Sequence, residues 1–300
     1  MIPLAPSIIM LGKGTGMGAK VAFITGASRG IGKATAIALA RRGYDVVVTA
    51  RTLEEGETHG DGAYGAAPGT LPGSLRATAA EIEGLGRRAL PIRLDLLDLA
   101  SIDAAIDRVY AEWGRIDLLV NNGIYQGSGM MSSIAELTQK QLQDMFFGNV
   151  FANVHTIQRV LPHMVAAGAG CIINVVSEAG MMDPPVPVGK GGWGFAYSAS
   201  KAALIRMAGV LKVEYADTPL QFFNMEPGLV MTEAMDLRPD RDEFARLYGG
   251  APMSVPAAVV VWLATAPEAN ELNGQTVMAQ RHCRKLNLVP EWQPRRGVLA

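Results

Sequence analysis

The chain has few of the residues that mark a metalloprotein or a disulfide-stabilised protein. Its 300 residues include two cysteines, Cys171 and Cys283, and four histidines. The cysteines are far apart and the histidines form no group with metal-ligand spacing, so we expect neither a disulfide framework nor a metal site. Cys171 falls within an apolar run, where a buried strand residue is a better interpretation than a nucleophile.

The chain also lacks a large net charge and long apolar runs. Charged residues make up 18% of the chain and the formal net charge is −1, with no long run of Lys or Arg, which argues against a nucleic-acid-binding surface. No stretch approaches the roughly 20 apolar residues of a membrane span, and the start of the chain lacks the features of a signal peptide. We therefore predict a flexible leader over residues 1–19 and a cytoplasmic protein that binds neither membrane nor nucleic acid.

Hydrophobic residues are plentiful, at 49%, and they are arranged in short runs that alternate with helical stretches. The predicted strands are Val21–Ile24, Asp45–Ala50, Leu90–Leu94, Leu118–Asn121, Cys171–Val176, Phe222–Met225 and Thr276–Ala279. The predicted helices include Ile31–Arg42, Ser101–Trp113, Gln139–Val165, Tyr197–Tyr215 and Val255–Ala266. Continuous apolar strands that alternate with helices are typical of a parallel sheet covered on both faces. The pattern predicts an α/β, doubly wound fold of about seven strands in one domain, over residues 20–300.

A glycine-rich turn, Thr25-Gly26-Ala27-Ser28-Arg29-Gly30-Ile31-Gly32, joins the first predicted strand to the first helix. Glycines alone also mark ordinary turns. Between a strand and a helix, however, they let the backbone approach a pyrophosphate, while the helix N-terminus supplies N–H donors and a positive dipole. The residues predicted to contact a dinucleotide here are Gly26, Ser28, Arg29, Gly30, Ile31 and Gly32.

The choice between NAD and NADP depends on the end of the second strand. An NAD site usually presents a carboxylate there, but this chain has Ala50, followed by Arg51. Arg29 lies in the glycine turn, and a 2′-phosphate favours guanidinium groups. The pattern therefore favours NADP, although Glu54 and Glu55 lie nearby and both arginines could instead be solvated surface residues.

A pair of residues with proton-transfer chemistry lies far downstream of the turn. Lys201 follows Tyr197 at helical i+4 spacing, so both side chains lie on one helix face. The unperturbed pKa of tyrosine is about 10, and a nearby cation lowers it by favouring the phenolate. Ser177 follows an apolar strand, at the sheet edge where open α/β folds bind ligands.

The glycine turn and Tyr197-Ser198-Ala199-Ser200-Lys201, in this order, resemble the short-chain dehydrogenase/reductase family from about Lys20 to about Gln280. The resemblance implies a Rossmann-like fold and reversible carbonyl reduction with a nicotinamide cofactor. It makes Tyr197 the proton donor and Ser177 the group that orients the substrate carbonyl. Lys201 would bind the nicotinamide ribose, and Asn149 would hold a water that contacts Lys201.

The resemblance also extends the predicted cofactor site beyond the glycine turn and Arg51. The residues that it adds are Asp95, Leu96, Asn122, Gly123, Tyr197, Lys201, Pro227, Gly228, Val230 and Thr232. Asp95 has an alternative interpretation as a turn or cap residue, and Asp98 is better placed to cap the next helix. The chain departs from the family's Asn-Asn-Ala-Gly segment at Gly123 and Ile124, and isoleucine resists φ values that glycine permits.

Two insertions bear on the surroundings of the site. We interpret the glycine-rich stretch within residues 53–73 as a surface loop, with contact at the edge of the cofactor as the alternative. Residues 181–196 connect Ser177 to Tyr197 and are expected to line the pocket together with residues 231–250. The candidate apolar lining residues are Tyr125, Met181, Met182, Trp193 and Met235. They favour a hydrophobic ketone or secondary alcohol as substrate, with ordinary packing as the alternative.

Two other functions remain open from the sequence. A 3-oxoacyl thioester reductase would need a basic patch for its carrier, and no obvious one is visible. A dinucleotide-sensing regulator would not need Ser177, Tyr197 and Lys201 together. The resemblance further implies a homotetramer or homodimer formed through the helices predicted at Gln139–Val165 and Tyr197–Tyr215. The apolar residues of the second helix suit such an interface, although they could be buried within one monomer.

Overall fold

The computed structural model describes residues 18–59, 71–188, 190–236 and 250–293. Residues 1–17 of the predicted leader lie outside this part of the chain, as do residues 60–70 of the first insertion. Residues 237–249 of the predicted substrate loop are likewise outside it. The leader over residues 1–19 therefore stays a prediction.

The described elements alternate between strands and helices. The strands are β1 Val21–Thr25, β2 Asp45–Ala50, β3 Ala89–Arg93, β4 Leu118–Asn121, β5 Cys171–Val175, β6 Gln221–Glu226, β7 Val230–Met231, β8 Ala251–Pro252 and β9 Thr276–Met278. The helices are α1 Gly30–Arg41, α2 Leu75–Gly84, α3 Leu99–Trp113, α4 Gln139–Phe146, α5 Ala152–Ala167, α6 Phe195–Glu214, α7 Glu233–Asp236, α8 Ser254–Thr265 and α9 Ala279–Leu286.

Seven strands form the main sheet in the order β3-β2-β1-β4-β5-β6-β9, and every neighbouring pair is parallel. The order reverses between β1 and β4, and ligands of open α/β sheets bind beyond the carboxyl ends of the strands at such a reversal. The predicted α/β, Rossmann-like, doubly wound fold in one domain is confirmed.

Side-chain alternation along the strands produces a core on each face of the sheet. In β1, Ala22 and Ile24 face one core, while Val21 and Phe23 face the other, and all four are fully buried. The first core lies under α1, α2, α8 and α9, and the second lies under α3, α5 and α6. Strands that are buried on both faces must be apolar throughout, which is why the sequence pattern identified them.

A line of buried amides crosses the centre of the sheet. Asn121, Asn174 and Asn224 occupy the same register position on β4, β5 and β6. Asn121 Nδ2 donates to Asn174 Oδ1 at 2.9 Å, and Asn174 Nδ2 donates to Asn224 Oδ1 at 3.3 Å. Asn224 Nδ2 then donates to the carbonyl of Ile205 in α6 at 2.6 Å. The line thus connects three strands to the helix that carries the predicted Tyr–Lys pair.

The helix predicted over Gln139–Val165 is interrupted. A π-helical turn, Phe147–Phe151, separates α4 from α5. Hydrophobic periodicity could not show this, because a π-turn inserts one extra residue and leaves apolar residues on both sides of it. The helices α7 and α9 were not predicted, and neither was the small β7–β8 pair.

None of the described helices is both long enough and apolar enough to cross a bilayer. Within the same ranges, no three His, Cys, Asp or Glu side chains come together as a potential metal site.

Candidate active site

The glycine turn between β1 and α1 has the backbone that its sequence predicts. Gly26 and Gly30 have φ values of +67° and +61°, a region that favours glycine. A Cβ atom at Gly32 would lie 2.2 Å from the carbonyl oxygen of Gly26, so only glycine fits there. The turn therefore brings bare backbone to the N-terminus of α1, as the approach of a phosphate group requires.

An acidic side chain already lies at this N-terminus. The backbone N–H of Gly30 donates to Oε2 of Glu233 at 2.9 Å. Glu233 begins α7, and Thr232 before it also lies beside Gly30. The N-cap residue of α1 is Arg29, and its side chain makes no capping hydrogen bond with the helix. The N-terminus thus binds an anionic group in this structure, which fits a site for the pyrophosphate of a dinucleotide.

Arg29 makes contacts that the sequence did not predict. Its Nε donates to the carbonyl of Pro72 at 2.9 Å, and its Nη2 donates to the carbonyls of Leu71 and Gly73 at 3.1 and 2.8 Å. The guanidinium group therefore fixes the backbone that enters α2 against the glycine turn. Backbone carbonyls have no sequence signature, so residue patterns could not reveal these partners.

The charges around Arg29 are mixed. Burial lowers the pKa of Arg29, and the positive charge of Arg51 lowers it further, while Glu233 and Glu55 raise it. The two carboxylates act on Arg29 more strongly than Arg51 does, so Arg29 lies among charges of both signs.

The two acidic residues that follow β2 both have partners near the start of α2. Glu54 forms an ion pair with Arg76 at 3.0 Å. Oε1 of Glu55 accepts the backbone N–H of Gly73 at 2.8 Å. These contacts give each carboxylate a structural role near the start of α2.

The segment after β4 is bound to the glycine turn. Asn122 Nδ2 donates to the carbonyls of Thr25 and Gly26 at 2.9 and 3.1 Å. The backbone N–H groups of Asn122 and Gly123 both donate to Thr25 Oγ1. Ile124 does not adopt a positive φ, because Asn287 is the one non-glycine residue with a positive φ in the described ranges. The departure from the family segment at Ile124 thus causes no backbone strain.

Asp95 and Asp98 stabilise the chain between β3 and α3. Oδ1 of Asp95 accepts the N–H of Leu97 at 3.0 Å, which is a local turn contact. Asp98 is the N-cap of α3 and accepts the N–H of Ala100 at 3.0 Å, as predicted. A contact of Asp95 or Leu96 with an adenine stays a prediction.

Ser177 lies just beyond β5 and begins a short 3₁₀ turn, Glu178–Gly180. Its Oγ accepts the N–H of Ala179 at 3.3 Å. A Cβ atom at Gly180 would lie 2.5 Å from the backbone nitrogen of Ala202 and 2.6 Å from the carbonyl carbon of Lys201. The turn that carries Ser177 therefore packs directly on α6 beside Lys201, and glycine permits this close approach.

Lys201 is almost completely buried, with 4% of its surface exposed. Its Nζ donates to the carbonyl of Val175, the last residue of β5, at 3.0 Å. Burial lowers the pKa of Lys201 to about 8. The ammonium group is thus held at the carboxyl edge of the sheet, close to the Ser177 turn.

Tyr197 lies one helical turn before Lys201 in α6 and packs in a small apolar cluster at this edge. The other members of the cluster are Ile124, Tyr125, Met130, Met131, Leu137, Leu142, Met145 and Ala196. An apolar environment of this kind limits the access of water to a proton-transfer group. The structure thus places Tyr197, Lys201 and the Ser177 turn at one edge of the sheet.

Asn149 lies in the π-helical turn and is buried. Its Oδ1 accepts the N–H of Tyr125 at 2.8 Å, and its Nδ2 donates to Ser200 Oγ at 3.2 Å. Ser200 Oγ in turn donates to the carbonyl of Tyr197 at 2.8 Å. Asn149 therefore joins the segment after β4 to the helix of Tyr197. The predicted water contact between Asn149 and Lys201 stays untested.

The Pro227–Gly228 turn after β6 is fixed from two sides. Gln280 Nε2 donates to the carbonyls of Pro227 and Leu229 at 3.2 and 2.9 Å. Oε1 of Glu226 accepts the N–H of Gly228 at 2.8 Å. No role of Glu226 or Gln280 was predicted from the sequence, although an acidic residue at the end of an apolar strand is a signal that the sequence contains. The predicted contacts of this turn, Val230 and Thr232 with a nicotinamide stay predictions.

The segment between Ser177 and Tyr197 presents apolar side chains near the site. Met181 and Met182 are 43% and 63% exposed, and Phe195 at the start of α6 is 52% exposed. Trp193 is partly buried, whereas Met235 in α7 is buried. Exposed methionines and aromatics next to a reactive centre suit contact with an apolar ligand.

Several known proteins are similar to most of this chain. A family model described as short chain dehydrogenase matches residues 20–62 and 58–242. A 3-oxoacyl-(acyl-carrier-protein) reductase of Synechocystis sp. is 32% identical over 266 residues, which cover 87% of this chain and 96% of that protein.

Two further proteins are similar over most of the chain. A cyclohexanol dehydrogenase of Rhodococcus sp. is 31% identical over 217 residues, covering 71% of this chain and 75% of that protein. The crystal structure of a short-chain type dehydrogenase/reductase from Mycobacterium marinum aligns with a TM-score of 0.69 at 27% identity. That alignment covers 86% of this chain and 93% of the other.

Proposed function

Because the chain belongs to the short-chain dehydrogenase family, we propose that it is an NADP-dependent oxidoreductase that interconverts a ketone and a secondary alcohol. Its family makes it an enzyme that acts on alcohol or carbonyl groups with a nicotinamide cofactor. The main observation behind the proposed ketone and alcohol chemistry is that the Ser177 turn, Lys201 and the helix of Tyr197 lie together at one edge of the sheet. That edge lies beside an α1 N-terminus that accepts an anion.

The glycine turn and α1 would hold the pyrophosphate, and Arg51, together with Arg29, would favour a 2′-phosphate. The position of Arg51 directly after β2 supports this preference, and so do the contacts that Glu54 and Glu55 make near the start of α2. Since three backbone carbonyls accept hydrogen bonds from Arg29, we assign the larger part of phosphate recognition to Arg51. When bound, the nicotinamide supplies hydride to the substrate or accepts it.

Tyr197 performs the proton transfer in this proposal. In reduction its phenol donates a proton to the carbonyl oxygen, and in oxidation its phenolate removes the proton of the alcohol. Lys201, one turn away, favours the phenolate through its positive charge. Ser177 would donate a hydrogen bond to the same substrate oxygen and so align it with Tyr197. Asn149 supports the arrangement by joining Tyr125 to Ser200.

The exposed Met181, Met182 and Phe195 support a hydrophobic substrate. The relative that is named for cyclohexanol is consistent with such a compound. A 3-oxoacyl thioester is the second candidate, favoured by the similarity to the Synechocystis reductase. A regulator that binds a dinucleotide without turnover is the third, and the presence of Ser177, Tyr197 and Lys201 at one edge argues against it.

A substrate panel tests the proposal. Purified protein is mixed with NADPH or NADH and with cyclic ketones, linear ketones or an acetoacetyl thioester, and loss of reduced-cofactor absorbance is followed. We expect turnover of cyclic ketones with NADPH. Turnover of the thioester alone would favour the second candidate. Dinucleotide binding without turnover of any ketone, thioester or alcohol would favour the regulator.

We also propose that the protein forms a homotetramer or homodimer through α5 and α6. Leu204 and Leu211 of α6 are buried within the monomer, but Val210 and Val213 are 44% and 77% exposed. Phe151, next to α5, is also exposed. Exposed apolar residues on neighbouring helices support an association surface. The cytoplasmic location stays a prediction from the sequence.

A further inference from the structure

A side chain from the C-terminal helix α9 holds the Pro227–Gly228 turn. Gln280 is the second residue of α9, and 6% of its surface is exposed. The strand before it, β9, pairs with β6, and Met278 lies opposite Glu226 in that pair. Gln280 follows Met278 closely in the chain, so it lies at the carboxyl edge of the sheet, beside the turn that follows β6.

One amide group binds two carbonyls of this turn. Gln280 Nε2 donates to the carbonyl of Pro227 at 3.2 Å and to the carbonyl of Leu229 at 2.9 Å. A primary amide carries two hydrogens on its nitrogen, so it can donate to both carbonyls at once. These partners also fix the orientation of the amide, because a reversed amide would place its oxygen against two carbonyl oxygens.

The turn packs tightly on this amide. Gly228 has a φ value of +68°, and a Cβ atom there would lie 2.3 Å from Gln280 Nε2. The N–H of Gly228 donates to Oε1 of Glu226 at 2.8 Å. The carbonyl of Leu229 also accepts the N–H of Ala251, in β8, at 2.9 Å. Gln280 therefore connects α9 to the turn and, through Leu229, to the β7–β8 pair that follows it.

We propose that Gln280 is a positioning residue that holds the Pro227–Gly228 turn against the nicotinamide half of the cofactor. The inference rests on the proposed function and on the predicted contact of this turn with the nicotinamide. It gives α9 an influence on the distance between nicotinamide and substrate, because α9 supplies a donor to both carbonyls of the turn. A misplacement of about 1 Å in such a site can lower the rate about a hundredfold.

The chemistry of the contact calls for a neutral side chain with two donors. Lysine or arginine would bring a charge that is costly to bury, and glutamate would present acceptor oxygens to carbonyl oxygens. Methionine has nearly the same length and shape as glutamine but no donor. Gln280→Met therefore removes both hydrogen bonds and keeps most of the packing, and the carbonyl of Leu229 retains the N–H of Ala251.

Titration of the full chain with whole and half cofactors tests the proposal. NADPH contains the nicotinamide, whereas adenosine 2′,5′-bisphosphate is its adenosine half; ADP is the corresponding half of NADH. Gln280→Met should weaken NADPH binding about tenfold, from the loss of buried hydrogen bonds, and should leave the affinity for the half unchanged. Gln275→Met is the matched control. Gln275 Nε2 donates to the carbonyl of Glu271 at 3.1 Å on the surface, so both affinities should stay the same.

Steady-state kinetics give a second readout, with a ketone that the unmodified protein reduces. At saturating NADPH, Gln280→Met should lower kcat about tenfold to a hundredfold, because the nicotinamide is bound but poorly aligned. The KM for the ketone should change little, since the Ser177 turn and Tyr197 are untouched. A general loss of structure would instead lower Tm and weaken the binding of both halves of the cofactor.

A second variant keeps Gln280 and does not depend on the folding of Gln280→Met. Gly228→Ala places a Cβ atom 2.3 Å from Gln280 Nε2, so the amide must leave the turn. It should weaken NADPH binding and spare the adenosine half. Adding Gln280→Met to Gly228→Ala should then cause little further loss, because the contact is already broken.

The outcomes separate the two levels of the proposal. Unchanged NADPH affinity and kcat in Gln280→Met would overturn the role of Gln280 alone, and so would equal losses for NADPH and its adenosine half. Fully additive losses in the double variant would also overturn it. An unmodified protein that neither binds a dinucleotide nor turns over any ketone or alcohol would overturn the proposed function, and the positioning role with it.

Discussion

The carboxylate of Glu233 accepts the backbone N–H of Gly30 at 2.9 Å, at the N-terminus of α1. A negatively charged side chain of α7 thus lies where the proposed pyrophosphate would bind. The two anions cannot use the same N–H donor, and their charges repel. If the pyrophosphate binds at this N-terminus, as proposed, Glu233 must move away from Gly30.

Glu233→Gln should bind the dinucleotide more tightly than the unmodified protein. The expected gain is roughly fivefold, from the loss of charge repulsion near a helix N-terminus. Asp236→Asn, in the same short helix, is the matched control and should change affinity less. The check is a calorimetric or fluorescence titration with NADPH at low and moderate salt. Weaker binding by Glu233→Gln would show that the carboxylate helps the cofactor rather than competing with it.

Cofactor choice is tested by reversing the charge at Arg51. Arg51→Asp should weaken NADPH binding and shift the preference toward NADH, because a carboxylate repels a 2′-phosphate and accepts ribose hydroxyls. Arg42→Asp, at the far end of α1, is the control of equal charge change. Both cofactors are titrated into all three proteins. Equal affinity for NADPH and NADH in the unmodified protein would contradict the NADP preference.

Tyr197→Phe removes the phenolic hydroxyl, which is the proposed proton donor. Turnover should fall by at least about 10²-fold, the lower part of the range for a general acid. Dinucleotide affinity and Tm should stay close to those of the unmodified protein. Steady-state kinetics, titration and thermal unfolding measure the three quantities. A variant that still reduces ketones at a near-normal rate would refute the assigned mechanism.

The titration of Lys201 should make the stability of the cofactor-free protein depend on pH. Burial lowers its pKa to about 8 in the folded state, compared with 10.5 for the unperturbed group. A lowered lysine pKa means that stability increases as the pH rises from about 8 to about 10.5. Relative to Lys201→Met, the unmodified protein should therefore gain in Tm between pH 8 and pH 10. A constant difference in Tm over this interval would show that Lys201 does not titrate as the burial implies.

Association is tested at the exposed residues of α6. Val213→Asp places a charge on a side chain that is 77% exposed in the monomer, so the monomer fold should tolerate it. If α6 forms the subunit interface, the same charge would be buried between copies and should dissociate them. Sedimentation velocity at micromolar concentration distinguishes the two states. Ile134→Asp changes another exposed apolar residue, outside both helices, and should leave the assembly intact.

Much of the fold could be predicted because buried parallel strands have a strong sequence signal. The bounds of β2 and β4 agree with the predicted strands, and the glycine turn lies where its pattern indicated. The break at Phe147–Phe151 could not be predicted, since an extra residue in a helical turn leaves no mark on composition.

The candidate site was predictable only in part, for a different reason. Ser177, Tyr197 and Lys201 were identified as reactive side chains in a recognisable order. The contacts of Glu226 and Glu233 involve backbone N–H groups, one of them on a distant part of the chain. Such donors are the same at every residue, so no pattern of side chains points to them. Arg29 was predicted to bind a phosphate because its carbonyl partners, like those N–H groups, have no signature in the sequence.

The line of asparagines through the sheet has a direction. Each amide nitrogen donates toward α6, from Asn121 to Asn174, from Asn174 to Asn224, and from Asn224 to the carbonyl of Ile205. Reversing one amide would set two donors or two acceptors against each other, so all three must keep the same orientation together. The orientation is therefore a cooperative property, and the carbonyl of Ile205, one turn beyond Lys201, is its terminus. A change at Asn121 on β4 should therefore alter the packing of α6, the helix that carries Tyr197, at the far end of the line.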